Sequence, residues 1–252
     1  MYKHRAAFGL PFFFARRLDS RRSGSLSAGS LECMKVRVRG VLFDMDGVLI
    51  SSIGSVERSW TKWAERHGVD PELAIQMAHG RRAIETVRAL RPDLNDVEEL
   101  RALEDMEVAD TDGVAVLEGV CRILEALPAD RWAVVTSATE RLAQSRMKHG
   151  GIPTPKRLVT ADKVSRGKPD PEPYLTGARC LGLKPEECLV IEDAASGAKA
   201  GHAAGCKVLA TLFSHSRESL NAADWVVRSL DDVQMRVDGD WIEFEFEPIR
   251  GS

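Results

Sequence analysis

No stretch of this 252-residue sequence approaches the roughly 18 consecutive apolar residues that a membrane-spanning helix needs. The longest apolar patch near the start, residues 10–15, is far too short, so a membrane span is excluded. Charge of one sign is not in excess either. The 35 Lys and Arg are interspersed with 38 Asp and Glu, for a formal net charge of −3, and no general attraction to nucleic acid is expected. The partner class left is a neutral or anionic small molecule held by local charges. Cysteine is sparse and unpatterned: Cys33, Cys121, Cys180, Cys188 and Cys206 are odd in number, form no C-x-x-C and show no zinc-like spacing. Free thiols in a reducing compartment follow, and the cytoplasm is the expected location. Internal repeats are absent.

What is present is apolar content of 44%, which in a chain of this length builds a full core, one domain with an insertion. Residues 1–33 differ from the rest, with Arg5, Arg16, Arg17, Arg21 and Arg22 among many serines and only Asp19 and Glu32 as acids. A transit peptide has such a composition. Without a clear amphipathic helix, residues 1–34 are instead read as a disordered leader or a mis-assigned start, with Met34 a sensible initiator before the first strand-like run.

Residues 36–43 (VRVRGVLF) begin with period-two alternation and end as an apolar run, reading as one strand that delivers Asp44 to a loop. From about residue 55 to 116 the periodicity is helical and no strand is evident. Apolar strands then recur at 132–135, 188–191, 206–210 and 225–227, separated by helical segments. The alternation predicts an α/β fold with a doubly wound parallel sheet, whose ligands sit beyond the carboxyl ends of the strands. Asp44, Ser137 and Asp193 all fall at such ends. Residues 233–237 and 241–246 flank Asp238-Gly239, a hairpin signal.

Asp44-Met45-Asp46-Gly47-Val48-Leu49 places two carboxylates two residues apart after a strand, able to supply a nucleophile and an acid for phosphate-ester cleavage. Thr136-Ser137 ends a strand, and Lys168 lies in G-K-P-x-P-x-x-Y. Glu192-Asp193 follows a strand and opens a helix. Each has a plainer reading: acidic pairs decorate many loops, a serine caps a helix, most lysines are solvated, and carboxylates favour any helix N-terminus.

Taken together and in this order, the four motifs resemble those of the haloacid dehalogenase superfamily, over residues 36–234. The resemblance implies Asp44 as nucleophile, Asp46 as general acid and base, and Lys168 as the fixed ammonium. It implies Ser137, with Thr136 one register away, as the phosphate-binding hydroxyl beside the Ala138 N–H. It also implies Mg²⁺ held by Asp44, the Asp46 carbonyl and Asp193, with Glu192 close by. The catalytic core is then expected at 35–51 and 117–234, an all-helical cap at 52–116 and a terminal hairpin at 235–252. His79-Gly80-Arg81-Arg82 resembles the H-G-x-R segment of glycerol-phosphate and 2-deoxyglucose-6-phosphate phosphatases, implying His79, Gly80 and Arg82 as substrate contacts. A mutase related to β-phosphoglucomutase carries histidine where this chain has Val56, which favours hydrolysis. The alternatives are that mutase and a catalytically silent ligand-binding member of the fold. A monomer or weak homodimer is expected.

Overall fold

The computed structural model describes residues 33–249; the leader reading for residues 1–32 lies outside them. In chain order the elements are β1 (Met34–Val38), β2 (Gly40–Phe43), β3 (Ile50–Ser51), α1 (Ile53–His67), α2 (Pro71–Ala78), α3 (Ala83–Leu90) and α4 (Asp96–Ala109). They continue as β4 (Ala115–Val116), α5 (Val120–Ala126), β5 (Trp132–Val135), α6 (Glu140–Gly150), β6 (Leu158–Val159), α7 (Glu172–Cys180), β7 (Cys188–Glu192) and α8 (Ala195–Ala203). The chain closes with β8 (Lys207–Thr211), β9 (Trp225–Val227), β10 (Gln234–Asp238) and β11 (Trp241–Phe246).

Six strands form one parallel sheet in the order β6-β5-β2-β7-β8-β9. Its central strands are buried on both faces, as a parallel sheet flanked by helices requires. Val41, Phe43, Trp132, Val134, Leu189 and Ile191 point to the face packed by α5 and α6, where Val120, Ile123, Ala143 and Met147 meet them. Leu42, Ala133, Val135, Cys188 and Val190 point to the other, under Tyr174 and Ala178 of α7 and Ala198 and Ala200 of α8.

The single strand expected over 36–43 is two. β1 has alternating burial and pairs antiparallel with β11, which also pairs with β10, whereas β2 is wholly buried inside the parallel sheet. The period-two half of the run and its continuous apolar half belong to different sheets, with Arg39 between them. The hairpin at Asp238-Gly239 therefore does not stand as a separate ribbon: β1 makes it a three-stranded sheet.

Helices α1–α4 are inserted between β3 and β4, a two-residue antiparallel pair that the sequence did not reveal. They carry their own core. Trp60 and Trp63 meet edge to face at 5.4 Å between ring centroids, packed on Ala64, Ala74, Val87 and Leu103. Asp70 caps α2 through the N–H groups of Glu72 and Leu73, and Gly68 ends α1 in the left-handed conformation. No helix among the described residues is long and apolar enough to cross a membrane.

Candidate active site

β5, β2 and β7 are adjacent, and their register sets Phe43 beside Val134 and Ile191. The residues that follow these strands, Thr136, Asp44 and Asp193, therefore emerge side by side at one sheet edge. Asp44 is 6% exposed. Its Oδ1 accepts a hydrogen bond from Lys168 Nζ at 2.7 Å, and the same ammonium donates to Glu192 Oε1 at 2.7 Å. Burial pushes the Asp44 carboxyl up to about 7; Lys168 pulls the other way, while Glu192 and Asp46 add to the rise.

Glu192 is fully buried, and burial alone would disfavour its anion. Lys168 and its hydrogen bonds win, and its carboxyl lies below the ordinary value. Oε1 also accepts from Tyr174 Oη at 2.7 Å, and Oε2 accepts the N–H groups of Asp193 and Ala194 at 2.9 and 3.0 Å. Both oxygens are thus committed to fixing the lysine and the start of α8. Tyr174 is the last residue of the G-K-P-x-P-x-x-Y run, and its function as an anchor for Glu192 was legible only as part of the pattern.

Asp193 lies on the other side of Asp44. Burial, then the charges of Glu192 and Asp44, hold its carboxyl well above the usual range. Its Oδ2 packs so closely on the Asp46-Gly47 backbone that a Cβ at Gly47, whose φ is +82°, would lie 1.9 Å from it. Asp44, Glu192 and Asp193 can each offer an oxygen within 4.8 Å of the others. Three buried carboxylates against one ammonium leave an excess of negative charge, and the donors are all hard oxygens. That set suits Mg²⁺.

Asp46 points elsewhere. Ser52 Oγ donates to its Oδ1 at 2.6 Å, and Arg146 Nη1 donates to its Oδ2 at 2.8 Å. Arg146, on α6, is 5% exposed and donates through Nη2 to Glu107 of α4 at 2.8 Å. Burial raises the Glu107 carboxyl to about 7, against the pull of Arg146. None of these three partners was identified from the sequence, although the signal exists. Arg146 stands among Leu142, Ala143 and Met147 on the buried stripe of α6, and Glu107 lies four residues after Leu103 on that of α4. A charge on an apolar stripe demands a partner.

The helical insert meets this edge through Gly80. The Gly80 carbonyl accepts from Ser137 Oγ at 3.2 Å and from Ser196 Oγ at 3.0 Å. Gly80 has φ of +71°, and a Cβ there would meet Ser196 Oγ at 2.5 Å, so glycine is needed for the contact. A cavity of about 110 Å³ is left, lined by Asp44, Asp46 and Asp193 below and by Val56, Trp60, His79, Gly80 and Arg81 above. Thr136, Ser137 and Ala138 form its side. Thr136 Oγ1 accepts the Ala138 N–H at 3.1 Å, which leaves the Thr136 hydroxyl proton free to be donated, whereas the Ser137 hydroxyl is spent on Gly80. The structure does not bring Arg82 into this cavity. Its guanidinium is paired with Glu85 and donates to the carbonyls of Val164 and Ser165 at 3.1 and 3.0 Å, tying the insert to the loop before Lys168. Its neighbour Arg81, at the unspecified position of H-G-x-R, lines the cavity instead.

A family model described as haloacid dehalogenase-like hydrolase matches residues 38–205. Hexitol phosphatase A of Escherichia coli is 41% identical over 203 residues, covering 79% of this chain and 94% of the relative. Glycerol-1-phosphate phosphohydrolase 2 of Saccharomyces cerevisiae is 34% identical, covering 85% and 92%. Among solved structures, CbbY from Rhodobacter sphaeroides in complex with phosphate superposes with a TM-score of 0.68 at 22% identity, over 77% of this chain and 96% of its own. The last is a likeness of fold, the first two of sequence across nearly the whole relative, and with the family model they make this chain a member of the haloacid dehalogenase-like hydrolases.

Proposed function

We propose that the protein is a phosphoric monoester hydrolase that cleaves a small sugar or polyol phosphate through an aspartyl-phosphate on Asp44. The observation that carries this reading is the Asp44 carboxylate, gripped by buried Lys168 at the floor of a small cavity that Asp193 and Asp46 share. Lys168 fixes the orientation of Asp44 and offsets the repulsion between its anion and an incoming phosphate. An oxygen of Asp44 attacks phosphorus in line, the bond from phosphorus to the ester oxygen breaks, and Asp46 gives its proton to the departing alkoxide. Asp46 then takes a proton from water, whose oxygen attacks the phosphorus. The bond to Asp44 breaks, and inorganic phosphate is released.

Mg²⁺ would be held by the carboxylates of Asp44 and Asp193 and the backbone carbonyl of Asp46, and when bound it supplies positive charge to the phosphoryl oxygens. Glu192, its oxygens already taken, serves as the anchor of Lys168. Thr136, whose hydroxyl proton is free, would donate to a phosphoryl oxygen, with Ser137 and Ala138 forming the wall beside it.

The small cavity suits a leaving group of a few carbons, and His79 and Arg81, polar groups that the insert adds to a mainly apolar wall, suit hydroxyls. The named activities of the relatives, on a hexitol phosphate and on glycerol 1-phosphate, support that class. Val56 presents an apolar side chain to the cavity where a mutase would need a polar group to hold a sugar intermediate, which supports water as the acceptor. The five free cysteines suit a reducing compartment such as the cytoplasm. The test is a screen of phosphorylated C3 to C6 polyols and sugars with and without Mg²⁺, read as phosphate release. Metal-independent release, or none from any member, would refute the reading.

A further inference from the structure

Asp46 must move a proton to and from atoms above Asp44, yet both its carboxylate oxygens are engaged, Ser52 on one and Arg146 on the other. Arg146 does not belong to Asp46 alone. Its second terminal nitrogen holds Glu107, which sits on α4 of the helical insert, so a single buried guanidinium is shared between a core carboxylate and an insert carboxylate.

The remaining donor of Arg146 is the telling one. Nε is buried and has no partner among the described residues. It lies on the same edge of the guanidinium as Nη2, which Glu107 already occupies through one oxygen. That edge, fully used, makes a two-bond grip, as Arg58 shows on Asp110 in this same chain through Nε at 2.7 Å and Nη2 at 2.8 Å. A small advance of α4 would bring the second oxygen of Glu107 onto Nε and complete such a grip.

We propose that Arg146 is a positioning residue that parks Asp46, and that Glu107 draws the guanidinium off Asp46 when substrate pulls the insert inward. The release of Asp46 for acid and base work is thereby tied to the presence of substrate under the helices. The inference rests on the phosphatase reading above. Ser52, at the entry to α1, keeps the other oxygen of Asp46 and lets go by rotation of a single hydroxyl.

The consequence is specific to the acid step. An alkyl phosphate expels a poor leaving group, which needs the Asp46 proton as its bond to phosphorus breaks; p-nitrophenolate leaves without one. Glu107→Gln keeps the shape and one hydrogen bond to Arg146 but removes the charge that competes with Asp46. With Mg²⁺ present, kcat/KM is to be measured for p-nitrophenyl phosphate and for the alkyl phosphate most rapidly hydrolysed in the screen. The expected result is a fall of roughly tenfold or more for the alkyl phosphate and less than about twofold for p-nitrophenyl phosphate. In an Arg146→Met background, or Arg146→Gln should that variant not fold, Glu107→Gln should no longer alter the ratio between the two substrates. Equal losses on both substrates, or the same selective loss without Arg146, overturn the proposal while leaving the phosphatase reading intact. A wild-type protein inactive on both substrates overturns the two together.

Discussion

Replacing Asp44 by Asn separates chemistry from folding, and the structure fixes the sign of both effects. The amide is isosteric but is no nucleophile, so turnover should fall by more than about 10⁴-fold. Stability should not fall with it. The Asp44 carboxyl is raised from 3.8 to about 7, chiefly by burial, with Glu192 and Asp46 repelling its anion and Lys168 only partly offsetting them. A group whose folded-state pKa is raised contributes stability that is fully present below about pH 4 and is lost as the pH climbs through about 7. The rise in the Asp44 pKa corresponds to about 4 kcal/mol. At pH 8 without metal the anion is thus a burden on the fold, and Asn removes it while Lys168 keeps Glu192 as its partner. Chemical denaturation in EDTA should find Asp44→Asn at least as stable as the wild type at pH 8. The wild type should lose stability between pH 5 and pH 8 more steeply than the variant. Some slope must remain, because the Asp193 carboxyl is also held high. Mg²⁺, which needs the anion, should stabilise the wild type more at pH 8 than at pH 5. A variant less stable than wild type by more than about 3 kcal/mol at pH 8 would refute the charge argument, and residual turnover above about one per cent would remove Asp44 as the nucleophile.

Removing the cation has the opposite effect on folding. Lys168→Met leaves Asp44, Glu192 and Asp193 without their ammonium and should cost about 3–5 kcal/mol in urea denaturation; a loss below about 1 kcal/mol would show that the buried pair contributes little. Thr136→Val should lower kcat/KM for p-nitrophenyl phosphate more than Ser137→Ala does, because the Thr136 proton is free and the Ser137 hydroxyl is engaged by Gly80, and the reverse order would return the phosphate contact to Ser137. Arg82→Ala should weaken p-nitrophenyl phosphate and the best metabolite alike, since Arg82 ties the insert to the 161–165 loop; a loss confined to the metabolite would place Arg82 on the substrate.

The parts of this protein legible in its sequence are those where one local pattern has one physical outcome. A short apolar run bounded by a loop makes a central parallel strand, and the residues that follow it must lie at the strand's carboxyl end; in this way Asp44, the Thr136-Ser137 pair and Asp193 are placed together from segments about 150 residues apart, with the choice between Thr136 and Ser137 left to one residue of register. Where one pattern serves two partners the local sequence does not decide between them. Residues 36–43 carry a half-exposed and a fully buried half, and only the antiparallel partner β11, far along the chain, assigns the first half to another sheet. Arg81 and Arg82 are equivalent as letters, and a turn that sends successive side chains in different directions decides which one meets the cavity.

The least legible residues, Glu107 and Arg146, are also among those that connect the insert to the core. Each occupies a position in its helix where periodicity calls for an apolar side chain, and in isolation each would be a destabilising error, a charge withdrawn from water with nothing beside it. Together with Asp46 they are tolerable only while α4, α6 and the loop after β2 remain in contact. Breaking that contact would strand at least one buried charge. The electrostatic cost that hides these residues from a pattern-based reading therefore makes the position of the insert count at the second aspartate. A purely apolar seam, which slides at little cost, could not transmit closure in this way.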